Sequence, residues 1–314
     1  MTRWTHGIAI VVLGAILAGC GAAPVAPSPP PAAINPAPEG GKTLVIAELG
    51  DDASKKIKRF QPLADHLAAA LASQGYVAGE VRIVHDMDEM TALIKSGKVD
   101  VIVDSPYPAM LVADRSGAQP ILRRWKGGDS EYYGVIFAFA DRGMRTLDDL
   151  DGRYLALESD LSTSGYFLPL AQLMTSNLTP VRRAAQTGVP FAPREVGYLL
   201  TGDEDNTVQW VLTGKADAGA VDRKTFADLP AETRSRLVIL AETERVARHM
   251  VLVRPDLPPA VVAALTGELT SMDSTEAGRT VLEAFEKTKK FDRFPAEASL
   301  ERMRSLFLMV GPPR

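Results

Sequence analysis

The stretch YLALESDLSTSGYFLP, residues 154–169, carries the pattern that decides the fold. An apolar run ends at Glu158, and a segment with apolar side chains at helical spacing follows, from Phe167 to Met174. This change of period predicts a strand that leads into a helix. Three adjacent hydroxyl side chains stand at the predicted start of that helix: Ser162, Thr163 and Ser164.

Two interpretations of these hydroxyls remain open from the residues alone. A helix N-terminus has unpaired N–H groups and a partial positive charge, so added hydroxyl donors would build a site for an oxyanion. Alternatively, Ser162 or Ser164 is an N-cap, which explains one hydroxyl but does not require three. Pro169 cannot donate a helical hydrogen bond, so the helix is predicted to start late or with an irregular turn.

Strand and helix patterns alternate on both sides of this stretch. Before it they occur at residues 43–49, 53–74, 81–84, 88–97 and 99–104. The alternation restarts at residue 134, with further helices predicted near 166–177 and 205–214. Runs that are apolar throughout, such as VDVIVD, suit parallel strands covered on both faces. We therefore predict an α/β fold with two lobes, each a mixed sheet flanked by helices.

The N-terminal residues differ from the rest of the chain. A basic start, a short apolar run and small residues before Cys20 are typical of a signal peptide over residues 1–19. The sequence Leu-Ala-Gly-Cys that ends at Cys20 resembles the bacterial lipobox, which predicts lipidation of this cysteine; the alternative is an ordinary cleaved signal with an incidental cysteine. Cys20 is the only cysteine in the chain, so no intramolecular disulfide is possible.

The residues after Cys20 divide into a tether and a folded body. Residues 20–41 are rich in proline and alanine and are predicted to be an extended tether. We predict that the body consists of a first lobe (42–132), a second lobe (133–244), and a return to the first lobe with C-terminal helices (245–314).

Composition and motifs exclude several classes of function. The net charge is −4 with 24% charged residues and no basic run, so a nucleic-acid partner is not expected. The four histidines are too scattered to predict a zinc site, and no cofactor motif occurs. No nucleophile and base stand at a recognisable spacing, so we do not expect an enzyme.

The ends of the predicted strands are the places to look for a ligand. In open α/β sheets, ligands bind beyond the carboxyl ends of the strands. The residues predicted at that edge are Glu48 to Asp52, Asp104 to Tyr107, Ser159 to Tyr166, and Asp222.

The chain from residue 43 to about 258 resembles the phosphate, phosphite and phosphonate-binding proteins of ABC importers, the PhnD-like periplasmic binding proteins. The most specific segment is TLDDLDGRYLALESDLSTSGYFLP, residues 146–169. Further segments match in order along the chain: FQPLADHLAAAL (60–71), SGKVDVIVDSPYPA (96–109), EYYGVIFAF (131–139), VQWVLTGKADAGAVD (208–222) and VRPDLP (253–258).

The resemblance implies a type II, Venus-flytrap architecture with a ligand in the cleft between two lobes. It implies that hydroxyls grip the anion, which carries over here to Ser162, Thr163 and Ser164, and that Tyr107 contacts it as well. Ser105 stands beside Tyr107 and is a further candidate donor.

Two positions depart from the family pattern. Glu204 stands where phosphonate binders have a histidine, and His249 stands near the position of an aspartate that binds a ligand ammonium group. Asp222 roughly matches a second carboxylate of that pocket. Three possibilities remain open if Glu204 faces the cleft: a protonated Glu204, a pair with His249 or Arg248, or a ligand that bears a donor or positive group.

The resemblance predicts a solute-binding lipoprotein that delivers a small oxyanion to a membrane permease of an ABC importer. The alternative is a sensory binding protein of the same fold that signals to a membrane histidine kinase. In both cases we expect a monomer in the bacterial cell envelope, on the periplasmic side, attached to a membrane only through its lipid anchor.

Overall fold

The structure is a computed structural model that describes residues 40–50, 53–184 and 188–313, without the side chains of Glu297 and Ala298. The predicted signal peptide, Cys20 and nearly all of the predicted tether lie outside the described residues. Within the described residues, no helix combines the length and the hydropathy needed to cross a bilayer.

The strands, in chain order, are β1 Lys42–Leu49, β2 Tyr76–Val84, β3 Val101–Asp104, β4 Gln119–Arg124, β5 Glu131–Tyr132, β6 Gly134–Phe139, β7 Tyr154–Leu157, β8 Thr179–Arg182, β9 Glu195–Leu200, β10 Ala218–Asp222, β11 Leu237–Glu242, β12 Val246–Ala247, β13 His249–Val253 and β14 Phe291–Asp292.

The α-helices are α1 Ala53–Ala70, α2 Met87–Lys95, α3 Pro106–Ser116, α4 Leu168–Thr175, α5 Glu204–Thr213, α6 Arg223–Asp228, α7 Ala231–Ser235, α8 Pro259–Ser271, α9 Glu276–Ala284 and α10 Glu297–Val310.

Two mixed sheets form the two lobes. The sheet of the first lobe has the strand order β14-β4-β13-β3-β1-β2, and that of the second lobe has the order β11-β6-β10-β7-β9-β8. In the first, β1 pairs in parallel with β2 and β3, while β13 runs antiparallel to β3 and β4. In the second, β7 pairs in parallel with β9 and β10, while β6 runs antiparallel to β10. The α/β fold predicted from the alternating patterns is confirmed.

The chain passes between the two sheets where short strands meet. Strand β5 leads from the first sheet to the second, β12 leads back, and the two pair with each other antiparallel. Helix α10 packs against α3 of the first lobe and against α4 of the second. Strand β3 is buried along its whole length because helices cover both faces of the sheet, as its unbroken apolar run predicts.

Candidate ligand-binding cleft

A cleft of about 550 Å³ lies where the carboxyl ends of strands from both sheets meet. Residues that end or follow β1, β3, β7 and β10 line it, together with His249 at the start of β13. Because β13 runs antiparallel to β3, its first residue reaches the same edge at which β3 ends. The predicted location of the site at the carboxyl ends of the strands therefore coincides with a cavity of the size that takes small ligands.

The hydroxyl stretch forms a single π-helical turn, Thr163–Phe167, and α4 begins only at Leu168. Pro169 stands in the first turn of α4, where its missing N–H does not break a hydrogen bond. The predicted irregular, late start of this helix is thus observed. Such π-helical turns are often found at functional sites.

Ser162 is the N-cap of this turn. Its Oγ accepts a hydrogen bond from Gly165 N at 3.0 Å, and its hydroxyl hydrogen-bonds the Glu158 carboxylate. A Cβ atom on Gly165 would approach Glu158 Oε2 to 2.8 Å, so glycine is needed for the turn to pack against this side chain. Ser162 is therefore an N-cap, which is the role that the second interpretation proposed for either Ser162 or Ser164.

Thr163 joins the two lobes. Its Oγ1 accepts a hydrogen bond at 2.9 Å from the backbone N of Tyr107, in α3 of the first lobe. The buried Tyr132 hydroxyl hydrogen-bonds the side chains of Thr163 and Ser105. Thr163 thus holds the second-lobe turn against the N-terminus of α3.

Ser164 is the member of the triplet whose hydroxyl stays available. It lines the cleft and is buried at 6% exposure. Within the described part of the chain, its hydroxyl makes no hydrogen bond to another residue. The three adjacent hydroxyls therefore have three different environments, which their spacing alone does not reveal.

The structure does not bring the Tyr107 side chain into the cleft. Its fully buried ring stacks on Phe167 with centroids 4.7 Å apart, and its hydroxyl donates to Gly311 O at 2.9 Å. Because the residue lies in the first turn of α3, its backbone N reaches Thr163 while its ring enters the core, where its centroid is 6.2 Å from that of Phe307 in α10. Tyr132, which was not among the predicted site residues, lines the cleft.

Buried carboxyls form part of the first-lobe wall. Asp104 Oδ1 accepts from Ser105 N at 2.7 Å, and Oδ2 accepts from Leu49 N at 3.2 Å. Burial, followed by the negative charge of Glu48, raises the pKa of Asp104 to about 7. Burial also raises the pKa of Glu48, while the nearby Lys56 opposes the increase.

Basic groups lie beside these carboxyls. Lys56 Nζ is 3.1 Å from Glu48 Oε2, and Lys126 Nζ is 3.1 Å from Glu286 Oε2. His249 is fully buried, and burial together with the cationic Lys126, Arg124 and Arg248 holds its pKa well below the ordinary value. His249 is therefore a neutral imidazole at neutral pH, with Nδ1 3.5 Å from Arg124 Nη1.

Glu204 and Asp222 both line the cleft on the second-lobe side. Glu204 Oε1 accepts from Asp222 N at 2.6 Å, and Oε2 accepts from Thr225 Oγ1 at 2.5 Å. Burial raises the pKa of Glu204, although these two hydrogen bonds oppose the increase. Asp222 caps α6 by accepting from Lys224 N at 2.6 Å. Among the described residues, no ion pair joins Glu204 to His249 or Arg248, although the charge of Arg248 opposes the rise in the pKa of Glu204; the Arg248 guanidinium lies over the Tyr132 ring, 4.2 Å from its centroid.

The cleft thus brings together Ser105, Ser162, Thr163, Ser164, Glu204, Asp222 and His249 of the predicted site, and not the Tyr107 side chain. It also contains Glu48 and Asp104, which were predicted only as residues at the ligand-binding edge, and residues that were not predicted: Lys56, Lys126, Tyr132, Glu158 and Lys224. The only sequence signal for Glu48 and Asp104 is their position at the ends of predicted strands.

Residues 49–297 match the family model of the periplasmic substrate-binding protein of phosphonate ABC transporters. The chain belongs to this family. The resemblance identified from the sequence segments is confirmed, and with it a solute-binding role that is not enzymatic. Proteins of this family are periplasmic and bind a small ligand for an ABC permease.

Solved structures share the fold over nearly their whole length. XAC2383 from Xanthomonas citri bound to chloride ion is 27% identical, with a TM-score of 0.78, over 85% of this chain and 97% of that one. XAC2383 bound to ATP is 26% identical, with a TM-score of 0.77, over 85% of this chain and 96% of that one. PhnD1 from Prochlorococcus marinus in complex with methylphosphonate is 15% identical, with a TM-score of 0.60, over 86% of this chain and 98% of that one. At this identity the comparison shows a similar fold.

Proposed function

We propose that this chain is a lipid-anchored solute receptor of an ABC importer, and that it binds a small ligand with an oxyanion group in the cleft. The observation that carries the proposal is the Ser164 hydroxyl, which lines the cleft and has no partner among the described residues. Ser162 and Thr163 hold the turn that presents it. A positioned hydroxyl donor at the start of a helical segment is suited to an oxygen of a bound anion.

The charges around the cleft favour recognition by hydrogen-bond geometry rather than by net charge. Its basic side chains include Lys56, Lys126, Lys224 and Arg248, which attract an oxyanion. Carboxyl groups of both lobes line the same cavity and oppose a bare dianion. The two XAC2383 structures hold anions, chloride in one and ATP in the other, which supports an anionic ligand here.

A ligand panel tests the proposal. We would measure the thermal unfolding of the purified chain with phosphate, phosphite, methylphosphonate, 2-aminoethylphosphonate, ATP, chloride and sulfate. An anion at 100 times its dissociation constant adds about 2.7 kcal/mol to the free energy of unfolding, a shift of several degrees. Calorimetric titration then gives the affinity of each hit.

Two results would contradict the proposal. One is the absence of binding to every anion by a folded protein. The other is a hit whose affinity is the same for the wild type and for a Ser164→Ala, Arg248→Gln double variant, because such binding would lie outside the cleft.

The proposed lipid anchor has a separate test. In a bacterial host, we expect a diacylglyceryl group on Cys20 by mass spectrometry of the membrane fraction. A Cys20→Ser variant should leave that fraction. Detection of an unmodified Cys20 thiol would exclude the anchor and leave the binding proposal intact.

A further inference from the structure

The basic side chains that line the cleft differ in whether a carboxylate of the protein already neutralises them. Three lysines of the lining are each ion-paired: Lys56 with Glu48, Lys126 with Glu286, and Lys224 with Asp228. An anion that binds to one of these ammonium groups has to share it with a carboxylate, which repels the anion. An unpaired cation in the same cleft would therefore attract the anion more strongly.

Arg248 is such a cation. It lines the cleft and is partly buried. Among the residues that the structure describes, its guanidinium group forms neither a hydrogen bond nor an ion pair. Glu204 lines the same cavity, but both of its carboxylate oxygens accept hydrogen bonds from other groups. A guanidinium group has five N–H donors and keeps its charge in proteins, so Arg248 has donors to offer a ligand.

Tyr132 fixes the position of this guanidinium group. Arg248 Cζ lies 4.2 Å from the centroid of the Tyr132 ring, within the range of a cation–π interaction. The Tyr132 side chain is buried, and its hydroxyl hydrogen-bonds the side chains of Thr163 and Ser105. Arg248 is therefore stacked on the residue that contacts the turn on which Ser164 stands.

The backbone of Arg248 is held at the crossing between the lobes. The residue stands between β12 and β13, where the chain returns to the first sheet. Its backbone N donates to Ser130 O at 2.9 Å, directly before β5, and β5 pairs with β12. Arg248 therefore enters the cleft from the crossover strands, with both its backbone and its side chain positioned before a ligand arrives.

We propose that Arg248 is a ligand-binding residue that donates two parallel N–H···O hydrogen bonds to the oxyanion group of the ligand, beside the Ser164 hydroxyl. This inference rests on the proposed function and specifies the ligand: its anionic group carries at least two oxygens on one atom, unlike a single-atom anion such as chloride. The planar guanidinium fork matches such a group, whereas the ammonium group of a lysine acts as a point charge.

Two substitutions test the charge and the fork separately. The probe is the oxyanion among phosphate, phosphite, methylphosphonate, 2-aminoethylphosphonate, sulfate and ATP that binds the wild type most tightly in calorimetric titration. Arg248→Gln removes the charge and should weaken binding at least about 100-fold, while Arg248→Lys keeps the charge without the fork and should weaken it more than about fivefold. Arg304→Gln, at an exposed position of α10, is the matched control for the loss of one positive charge and should leave the affinity unchanged.

The melting temperature of the unliganded protein separates binding from folding. The ammonium group of Arg248→Lys can still lie over the Tyr132 ring, so we expect this variant to melt within about 2 °C of the wild type. If Arg248→Gln does not fold, Arg248→Lys decides the question alone.

Three results would overturn the inference. A loss of less than about fivefold in Arg248→Lys would show that only the charge matters. Unchanged affinity in Arg248→Gln would remove Arg248 from the site. A larger loss in Lys224→Gln than in Arg248→Gln would assign the anion to the lysine of the second lobe.

The proposed function survives each of these results if Ser164→Ala still weakens binding of the same probe, because the cleft would then remain the binding site. It fails if no anion of the panel binds to the folded wild type.

Discussion

The second-lobe wall of the cleft comes largely from one short segment, whereas the first-lobe wall is assembled from distant ones. Glu158, Ser162 and Ser164 follow each other closely after β7. Glu48, Asp104 and His249 come from β1, β3 and β13, which are adjacent in the sheet but far apart in sequence. A contiguous segment can be recognised in the sequence as a motif. A wall built from distant segments can be predicted only if the strand order is known.

The two walls also differ in how they use polar groups. The second-lobe turn presents a neutral hydroxyl donor on a backbone fixed by capping. The first-lobe wall holds carboxyl groups whose burial raises their pKa values. Burial also raises the pKa values of Glu158 and Glu204 on the second wall, so both walls contribute to the pH dependence of stability, and Asp104, whose pKa rises to about 7, is expected to contribute most.

The largest expected effect is that of Asp104→Asn on the pH dependence of stability. The pKa of Asp104 in the folded chain is about 7, against an ordinary value of 3.8. Between these pH values the folded chain keeps a proton that the unfolded chain has released, so the free energy of unfolding falls as pH rises. Asparagine does not titrate. Over this pH range the free energy of unfolding of the variant should therefore fall by a few kcal/mol less than that of the wild type, since each pKa unit corresponds to about 1.4 kcal/mol.

Urea unfolding of unliganded protein at pH 4.5 and pH 7.5 measures this effect. Glu48, Glu158 and Glu204 also have raised pKa values, and His249 has a lowered one, so both proteins keep some pH dependence. The difference between wild type and variant in the pH dependence of the free energy of unfolding therefore gives the contribution of Asp104. Parallel pH profiles for the two proteins would show that Asp104 is ionised throughout this range.

Ser164→Ala should have the next largest effect, on affinity. A hydroxyl bond to a charged oxygen contributes roughly 1.5–3 kcal/mol, so we expect affinity for the tightest anion of the panel to fall about 10- to 100-fold. The melting temperature should change by less than about 2 °C, since the hydroxyl has no partner in the described residues. Ser235→Ala, at an exposed position, is the control, and unchanged affinity in Ser164→Ala would remove this hydroxyl from the site.

Ser162→Ala should lower stability more than affinity, which is the opposite of the result expected for Ser164→Ala. Loss of the N-cap bond to Gly165 N costs about 1 kcal/mol, which lowers the melting temperature by about 2–4 °C. We expect a smaller loss of affinity than in Ser164→Ala. Ser162→Asn should restore the melting temperature because asparagine is also a good N-cap, and a failure to do so would argue against the capping role.

The sequence predicts the fold and the second-lobe wall because both depend on local patterns. Alternating strand and helix periods give the two-lobe architecture, and Pro169 predicts the irregular start of α4. The role of each hydroxyl was not predictable, because it depends on partners such as Tyr107 N and Glu158 that only the folded turn brings near.

The first-lobe wall was predictable only as a set of strand ends. Whether Glu48 and Asp104 face a cavity depends on the register of β1 and β3 and on the closure of the second lobe over them. The resemblance placed Tyr107 in the site because a tyrosine stands in the matching loop. It did not show that the residue lies in the first turn of α3 with its ring directed into the core.

Tyr107→Phe tests that difference and has the smallest expected effect. The variant loses the hydrogen bond from the tyrosine hydroxyl to Gly311 O, which contributes about 1 kcal/mol, and keeps the ring stacked on Phe167. We expect the affinity for the tightest anion of the panel to stay within about twofold, because the hydrogen bond from Tyr107 N to Thr163 belongs to the backbone. Tyr132→Phe is the matched comparison, since it removes a hydroxyl that bonds Thr163 and Ser105 in the cleft, and we expect it to weaken binding. If Tyr107→Phe instead lowered the affinity tenfold with no change in melting temperature, the tyrosine hydroxyl would contact the ligand, and the ring would have to leave the core when the ligand binds.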